Sequence, residues 1–392
     1  MSQTRPFHLA VELEGAGRHP AAWRLPDADA EGLLTAAHWV RLVRAVERAG
    51  ATFVVLADSV APPDGVPGTV QARLDATGLA ALLGPLTHQV GLVPVVPVSY
   101  AEPFHVSKAI TTLDHVSDGR AGWQVDVAAP AGTGGGDVQA AQFHGRTARS
   151  SAAQWDEAAD VVEVVSRLWD SWEDDAIVLD AATDRYVDRT RIHGADFTGA
   201  TFSVAGASIT PRSPQGQPIV VVRGDVPEAL SLAAARADVI RVAARDVAGA
   251  TARVAQVRAA VAAAGREAQA VHVLLDVEVL LAVDDPAAAR RLAELDTLAG
   301  RPWSPRGLAV VAGAPRAAEA LADLVDLTGA DGLVLAPLAQ VGDVALLTEQ
   351  LAPLLRARGR LAAHPTDAAD TPRTLRDAFG LARPSSRYAT AR

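Results

Sequence analysis

The stretch Leu113-Asp-His-Val-Ser-Asp-Gly-Arg-Ala-Gly122 joins an amphipathic run, Phe104–Val116, to an apolar one, Arg120–Val127. Asp118-Gly119 is a helix-ending pair, because glycine enters the left-handed region without steric cost. Arg120 then launches a strand, with Asp114 placed to pair it. The unit is helix, tight turn, strand, and it recurs along the chain. Eight apolar runs of strand length are present: Pro6–Leu13, Thr52–Ala57, Val90–Val96, Arg120–Val127, Pro218–Arg223, Asp238–Val242, Val271–Leu281 and Gly332–Ala336. Each is rich in Val, Leu or Ile and reads as covered on both faces, as parallel strands are. Helical spacing fills the intervals, as in Trp39, Leu42, Val43, Val46 and Ala49. Eight strands alternating with helices predict an α/β fold of the (β/α)8 TIM-barrel type. A doubly wound sheet would want a glycine fingerprint after its first strand, and none is clear.

The chain reads as one domain over residues 1–392, larger than the ~250 residues a barrel needs. The surplus falls into an insertion at 170–217, between the fourth helix and the fifth strand, and a polar tail at 364–392 expected to wrap the barrel. Within the insertion, Asp196–Gly199 and Thr201–Ala205 read as short strands and Pro211–Gln217 as a turn.

Lys and Arg number 36 and Asp and Glu 46, a formal charge of −10, and no basic run occurs. Nucleic acid is therefore not an expected partner. No apolar stretch reaches the ~18–20 residues of a membrane span, and Met1–Ala10 has no signal-peptide core, so a cytoplasmic protein is expected. Cysteine is absent, which excludes disulfides, thiolate metal sites and Cys nucleophiles. The ten histidines form no His-x-x-x-His pair, so no metal site is expected. Asparagine is also absent, and Lys108 is the only lysine.

In such a barrel the chemistry lies in the loops after the strands. Those loops hold Glu14, Arg18, His19, Trp23 and Arg24; Asp58 and Ser59; Ser99, Tyr100 and Glu102; Gln124, Asp126, His144, Arg146 and Arg149; and Arg223-Gly224-Asp225. His19 and His144 are the candidate catalytic groups, since histidine can exchange protons near neutrality. Gly132-Thr-Gly-Gly-Gly-Asp137 looks like a phosphate loop. It lacks the following Lys-Ser/Thr and a helix directly after it, so it reads as a surface loop. Trp172-Glu-Asp-Asp175 lacks calcium-loop spacing and reads as a solvated turn.

Several segments together resemble the bacterial luciferase-like flavin-dependent monooxygenases, in particular the branch of nitrilotriacetate and dibenzothiophene-sulfone monooxygenases. They are Gly15-Ala-Gly-Arg-His-Pro-Ala-Ala-Trp-Arg24, Ala57-Asp58, Glu102-Pro-Phe-His105, Thr112–Trp123, Leu168-Trp-Asp-Ser-Trp-Glu-Asp-Asp-Ala176, Pro211–Pro218 and Ala330–Pro337. The resemblance implies a (β/α)8 barrel using O2 and reduced FMN from a separate flavin reductase to oxidise a small organic substrate. It implies a homodimer or homotetramer. It places Asp58, Ser99, Gln124, Asp126, Arg223, Gly224, Asp225 and Val226 around the cofactor, with Trp23 and Tyr100 nearer the substrate.

The chain also departs from the family. Where the family has Trp-Asn-Ile-Val-Thr-Ser, this chain has Trp123-Gln-Val-Asp-Val-Ala128. Ser151-Ala-Ala-Gln-Trp155 replaces a His-Asp-x-Arg-Tyr run that grips the phosphate, and Gly224-Asp225-Val226 replaces Gly-Ala-Ser. Only Leu298–Pro305 stands where a longer lid is usual. Two alternatives stay open: a degenerate, non-catalytic homologue with weak or no flavin binding, and an oxidoreductase dependent on the deazaflavin F420.

Overall fold

A computed structural model describes residues 5–62, 66, 68–362 and 374–389. Eight parallel strands close into a barrel: β1 (His8–Leu13), β2 (Phe53–Leu56), β3 (Gly91–Pro97), β4 (Gly122–Asp126), β5 (Ile219–Arg223), β6 (Val239–Val242), β7 (His272–Ala282) and β8 (Gly332–Pro337). Neighbours in sequence pair in parallel throughout, and β8 returns to β1 through His8 opposite Gly332. All eight predicted runs are barrel strands.

Side-chain alternation divides the strands between two environments. Leu9, Val11, Leu13, Val54, Leu56 and Trp123 face the helix layer, while Ala10, Phe53, Val55, Val93, Val95, Ile219, Val221 and Leu274 fill the barrel's interior. The helix Ala36–Arg48 shows why the outer layer forms. Thr35 caps it by accepting from His38 N–H, and Trp39, Leu42, Val43 and Val46 are buried.

A ninth parallel strand, Leu308–Gly313, pairs with the upper half of β7 from Val277 to Ala282. The eight-run reading missed it. β7 is eleven residues long against four for β6, so its upper half projects beyond β6, and Leu308–Gly313 pairs that edge.

Residues 374–381 enter the lower end of the barrel, where Leu375, Phe379 and Leu381 join the interior cluster. The described tail is thus a plug over 374–381, which was not expected, and from Arg383 to Tyr388 it lies on the outside as the expected wrap, against Asp174, Asp170, Glu163 and Gly194. Residues 364–373 and 390–392 lie outside the described residues. The insertion carries two small antiparallel hairpins, Ile177–Asp180 with Arg185–Val187 and Phe197–Thr198 with Ser203–Val204.

At the turn that leads into β4, Asp118 and Gly119 both have positive φ (53° and 81°). The expected Asp114–Arg120 pair does not form. Asp114 accepts from Gln215 Nε2 (2.6 Å), Gln215 N–H and Ala121 N–H. Arg120 instead donates to the carbonyls of Gly84, Thr87 and Val90. The two side chains point to opposite sides of the turn, each satisfied by a different loop. Among the described residues no helix is long and apolar enough to cross a membrane.

Candidate active site

The upper interior of the barrel changes character one layer above the apolar core. Continuing the inward alternation, Ala10 is followed by Glu12, Gly122 by Gln124, Val221 by Arg223, Val239 by Arg241 and Leu274 by Asp276. Arg241 is 1% exposed at its side chain, and its guanidinium holds three partners. These are Glu12 at 2.5 Å, Asp276 at 2.9 Å through Nε, and the Gln124 carbonyl at 2.7 Å. Arg223 spans Asp276 (3.1 Å) and Asp225 (3.0 Å), and Arg18 pairs with Glu12 and Glu14. Burial pushes the Asp276 carboxyl up, yet Arg241, Arg223 and Arg18 around it bring it below its ordinary value. Asp126, at the tip of β4, is bonded to Val127 N–H, and burial pushes its carboxyl up.

Beside this lattice lies a cavity of about 700 Å³ between the loops after β1 and β2 and the segment 299–306. That volume is in the range of small-molecule pockets. Its β1 wall is fixed to the loop after β8: Arg18 and His19 N–H donate to the carbonyls of Pro337 and Leu338, and Gln340 bonds Glu14 N–H and the Gly15 carbonyl. Gly17, at φ 127°, permits this approach, since a Cβ there would lie 2.4 Å from the Leu338 carbonyl oxygen.

The predicted site residues separate into three groups. His19 and Asp58 line the cavity. His19 accepts from Ala21 N–H at Nδ1 and faces Asp296 at 3.4 Å through Nε2, so in the neutral ring Nε2 carries the proton. Burial lowers its pKa, against the pull of Asp296. Asp296 also accepts from Trp303 N–H at 2.7 Å, so His19 and the short lid loop are anchored to one carboxylate. Asp58 accepts from Ser59 N–H and from Ala76 N–H at the start of helix Ala76–Leu83; burial pushes its carboxyl up. Trp23 stands at the edge, donating to the Gly68 carbonyl at 2.7 Å.

Gln124, Asp126, Arg223 and Asp225 come together at the lattice. Gly224 is packed against Ile240, and Val226 is the N-cap of the turn at Pro227–Ala229. The third group stands apart. Ser99 donates to Gln154 (2.7 Å) and accepts from Ala128 N–H (2.8 Å), Tyr100 stacks on Phe143 at 4.4 Å, and His144 is exposed in the turn beyond it.

The structure adds groups that were not singled out from the sequence: Glu12, Arg241 and Asp276 in the lattice, and Arg73, Arg301 and Arg306 at the cavity. The signal for the first three was a charge inside an otherwise apolar run. The glycine run was also read incompletely, because Gly134–Ala141 is a helix whose N-terminus Thr133 caps.

A sequence model described as luciferase-like monooxygenase matches residues 19–331. The chain belongs to that family. Among relatives of this luciferase-like chain, N-acetyl-S-(2-succino)cysteine monooxygenase of Bacillus subtilis is 30% identical over 76% of the chain and 66% of the relative. Dibenzothiophene-sulfone monooxygenase of Rhodococcus erythropolis is 29% identical over 76% and 67%. The matches thus span about two thirds of those relatives' own length. A crystal structure of riboflavin lyase with modified FMN and riboflavin superposes with a TM-score of 0.85 at 24% identity, covering 98% of both chains. That likeness establishes the shared fold.

At the positions where the family resemblance places the flavin, the donor set does not fit a tightly held FMN. The Gln124 carbonyl is taken by Arg241, and Ser99 is bonded on both sides. Arg223 is already shared between two carboxylates, and the Asp225 Oδ1 oxygen is buried with no donor on it. A buried acceptor of this kind disfavours a phosphate dianion.

Proposed function

We propose that this chain is a flavin-dependent monooxygenase that uses O2 and reduced FMN from a separate reductase to oxidise a small organic substrate. The observation that carries this reading is the cavity at the C-terminal face of a barrel belonging to this family. The flavin is then a visiting reactant and not a resident group, in keeping with the unfavourable donor set at β4 and β5. The chain's own contribution is to hold the substrate between the loops after β1 and β2 and to exclude water with the segment 299–306. Neither His19 nor Asp58 is a free base, since each is bonded to its own scaffold. Positioning is therefore their role. We place the protein in the cytoplasm as a homodimer or homotetramer.

The test is FMN binding by fluorescence quenching together with oxygen consumption in the presence of FMN and a reductase. Saturable quenching and substrate-dependent turnover are expected. A second reading is favoured by the lattice around Arg241: a barrel whose flavin site has been closed by ion pairs, leaving a non-catalytic binding protein. No quenching by oxidised or reduced FMN, and no oxygen uptake above that of free flavin, would decide for it.

A further inference from the structure

The charges that line the cavity do not balance, in a chain that is acidic overall. Its carboxylates are already engaged. Glu14 pairs with Arg18 at 3.0 Å, and Asp58 accepts from two backbone N–H groups. Its other arginines lack such partners among the described residues. Arg73 donates to the backbone carbonyls of Ser59 and Ala61 and acts on Asp58 only at longer range. Arg301 and Arg306 have no carboxylate within ion-pair distance among the described residues, although they stand on a loop that is itself fixed. Trp303 N–H is bonded to Asp296, and Arg306 N–H to Glu278 at 2.9 Å. Two anchored backbone positions therefore hold the loop that carries these guanidinium groups at the rim.

Arg18 lines the same cavity. Burial first, then the neighbouring Arg241 and Arg306, lower its pKa to about 10, against the pull of Asp276 and Glu278. A guanidinium destabilised by other guanidinium groups gains when an anion enters. Unpaired arginines on opposite walls of one concave site are arranged to grip an oxyanion from two sides, and guanidinium is the side chain best matched to carboxylate and phosphate.

We infer that the cavity binds a small organic anion, with Arg73 on one wall and Arg301 and Arg306 on the other gripping its carboxylate or phosphate oxygens. The inference rests on reading this cavity as the substrate site. Carboxylate on the substrate and phosphate on the flavin share the recognising chemistry, so the experiment separates them.

The probes are citrate, followed by calorimetry, and FMN and riboflavin, followed by fluorescence quenching, on the full chain and on Arg301→Gln/Arg306→Gln. Both altered side chains are exposed, and Arg316→Gln, paired with Asp285 away from the cavity, is the control. The double variant is expected to weaken anion binding about tenfold or more, which is about 1.4 kcal/mol. Added salt should weaken binding to the native chain, and the control should match it. Weaker FMN binding with riboflavin unchanged, and FMN displaced by citrate, assigns the oxyanion to the flavin phosphate. Weaker citrate binding with both flavins affected alike assigns it to a substrate carboxylate. Unchanged citrate and FMN binding in the double variant, or no binding of either to the native chain, overturns the inference. Binding is read without turnover, so intact oxygen consumption with no anion binding defeats this inference alone. Anion binding with no flavin-dependent oxygen uptake defeats only the monooxygenase reading.

Discussion

Replacing Arg241 by alanine removes the guanidinium that Glu12, Asp276 and Gln124 share. The side chains of Glu12 and Asp276 are 5% and 16% exposed, so water replaces little of what they lose. Breaking a buried ion pair from one side costs about 3–5 kcal/mol, because the remaining charge is stranded. Here Arg18 stays on Glu12 and Arg223 on Asp276, which places the expected loss at the lower end, about 3 kcal/mol. The pH dependence has a definite sign. Without Arg241, Asp276 loses the strongest of the charges that lower its pKa, which therefore rises from its native value, with Arg223 and Arg18 still opposing burial. The penalty is then full at neutral pH and shrinks as pH falls through that raised value, where the carboxyl takes up a proton. Urea unfolding followed by tryptophan fluorescence, near neutral pH and again at about pH 5, measures both quantities. Arg241→Lys keeps a charge without the fork and should lie between the two. A loss below about 1 kcal/mol at neutral pH, the range of an exposed pair, would refute this account of the lattice. So would a loss that does not shrink on acidification.

Asp225→Ser removes the carboxylate whose Oδ1 lacks a donor. FMN quenching titrations should then show an affinity gain of a few-fold, less at high salt; no gain would mean the phosphate is recognised elsewhere. At the lower end of the barrel, burial and then His272 lower the His8 pKa to about 4, against the pull of Asp331. The unfolded chain therefore takes up this proton first, and stability falls as pH drops from about 6.5 towards 4, by up to about 3 kcal/mol. His8→Phe, retaining the contact with Phe379, should flatten that part of the urea-midpoint profile. Phe379→Ala empties the centre of the plug against His8, Phe53 and His272; a loss of about 3–5 kcal/mol is expected, and a thermal melt close to that of the native protein would contradict the plug.

The barrel was legible because each parallel strand is covered on both faces and so writes an unbroken apolar run. Pro218–Arg223 and Asp238–Val242 announce β5 and β6 without knowledge of their partners. Leu308–Gly313 was not legible in the same way, since its reason for existing is the projecting edge of β7, which is a tertiary fact. The plug escaped for a related reason: Leu375 and Phe379 have an i, i+4 spacing that fits any apolar surface, Leu381 follows beyond the helix, and only the open lower end of the barrel selects where they go. In the site, loop residues such as His19 and Asp58 were found by position along the chain. Their partners Asp296 and Ala76 were not, because those contacts close over long separations.

The absence of asparagine has a structural counterpart at Gln124. The family resemblance puts an asparagine there, against the flavin, and this chain has a side chain one methylene longer. That extra reach takes the carbonyl to 2.7 Å from the Arg241 guanidinium, which itself spans β6 to β1 and β7. The glutamine therefore belongs to the lattice before it belongs to any ligand. A change back to asparagine would withdraw the carbonyl from Arg241 without emptying the space that Arg241 fills. Gln124 and Arg241 consequently act as one unit, along with the carboxylates that neutralise the guanidinium. The departures from the family at Gln124 and Arg223 are for the same reason not independent. They belong to one layer of paired charge around Arg241 and Asp276, and the arginines less engaged by carboxylates stand in the neighbouring cavity.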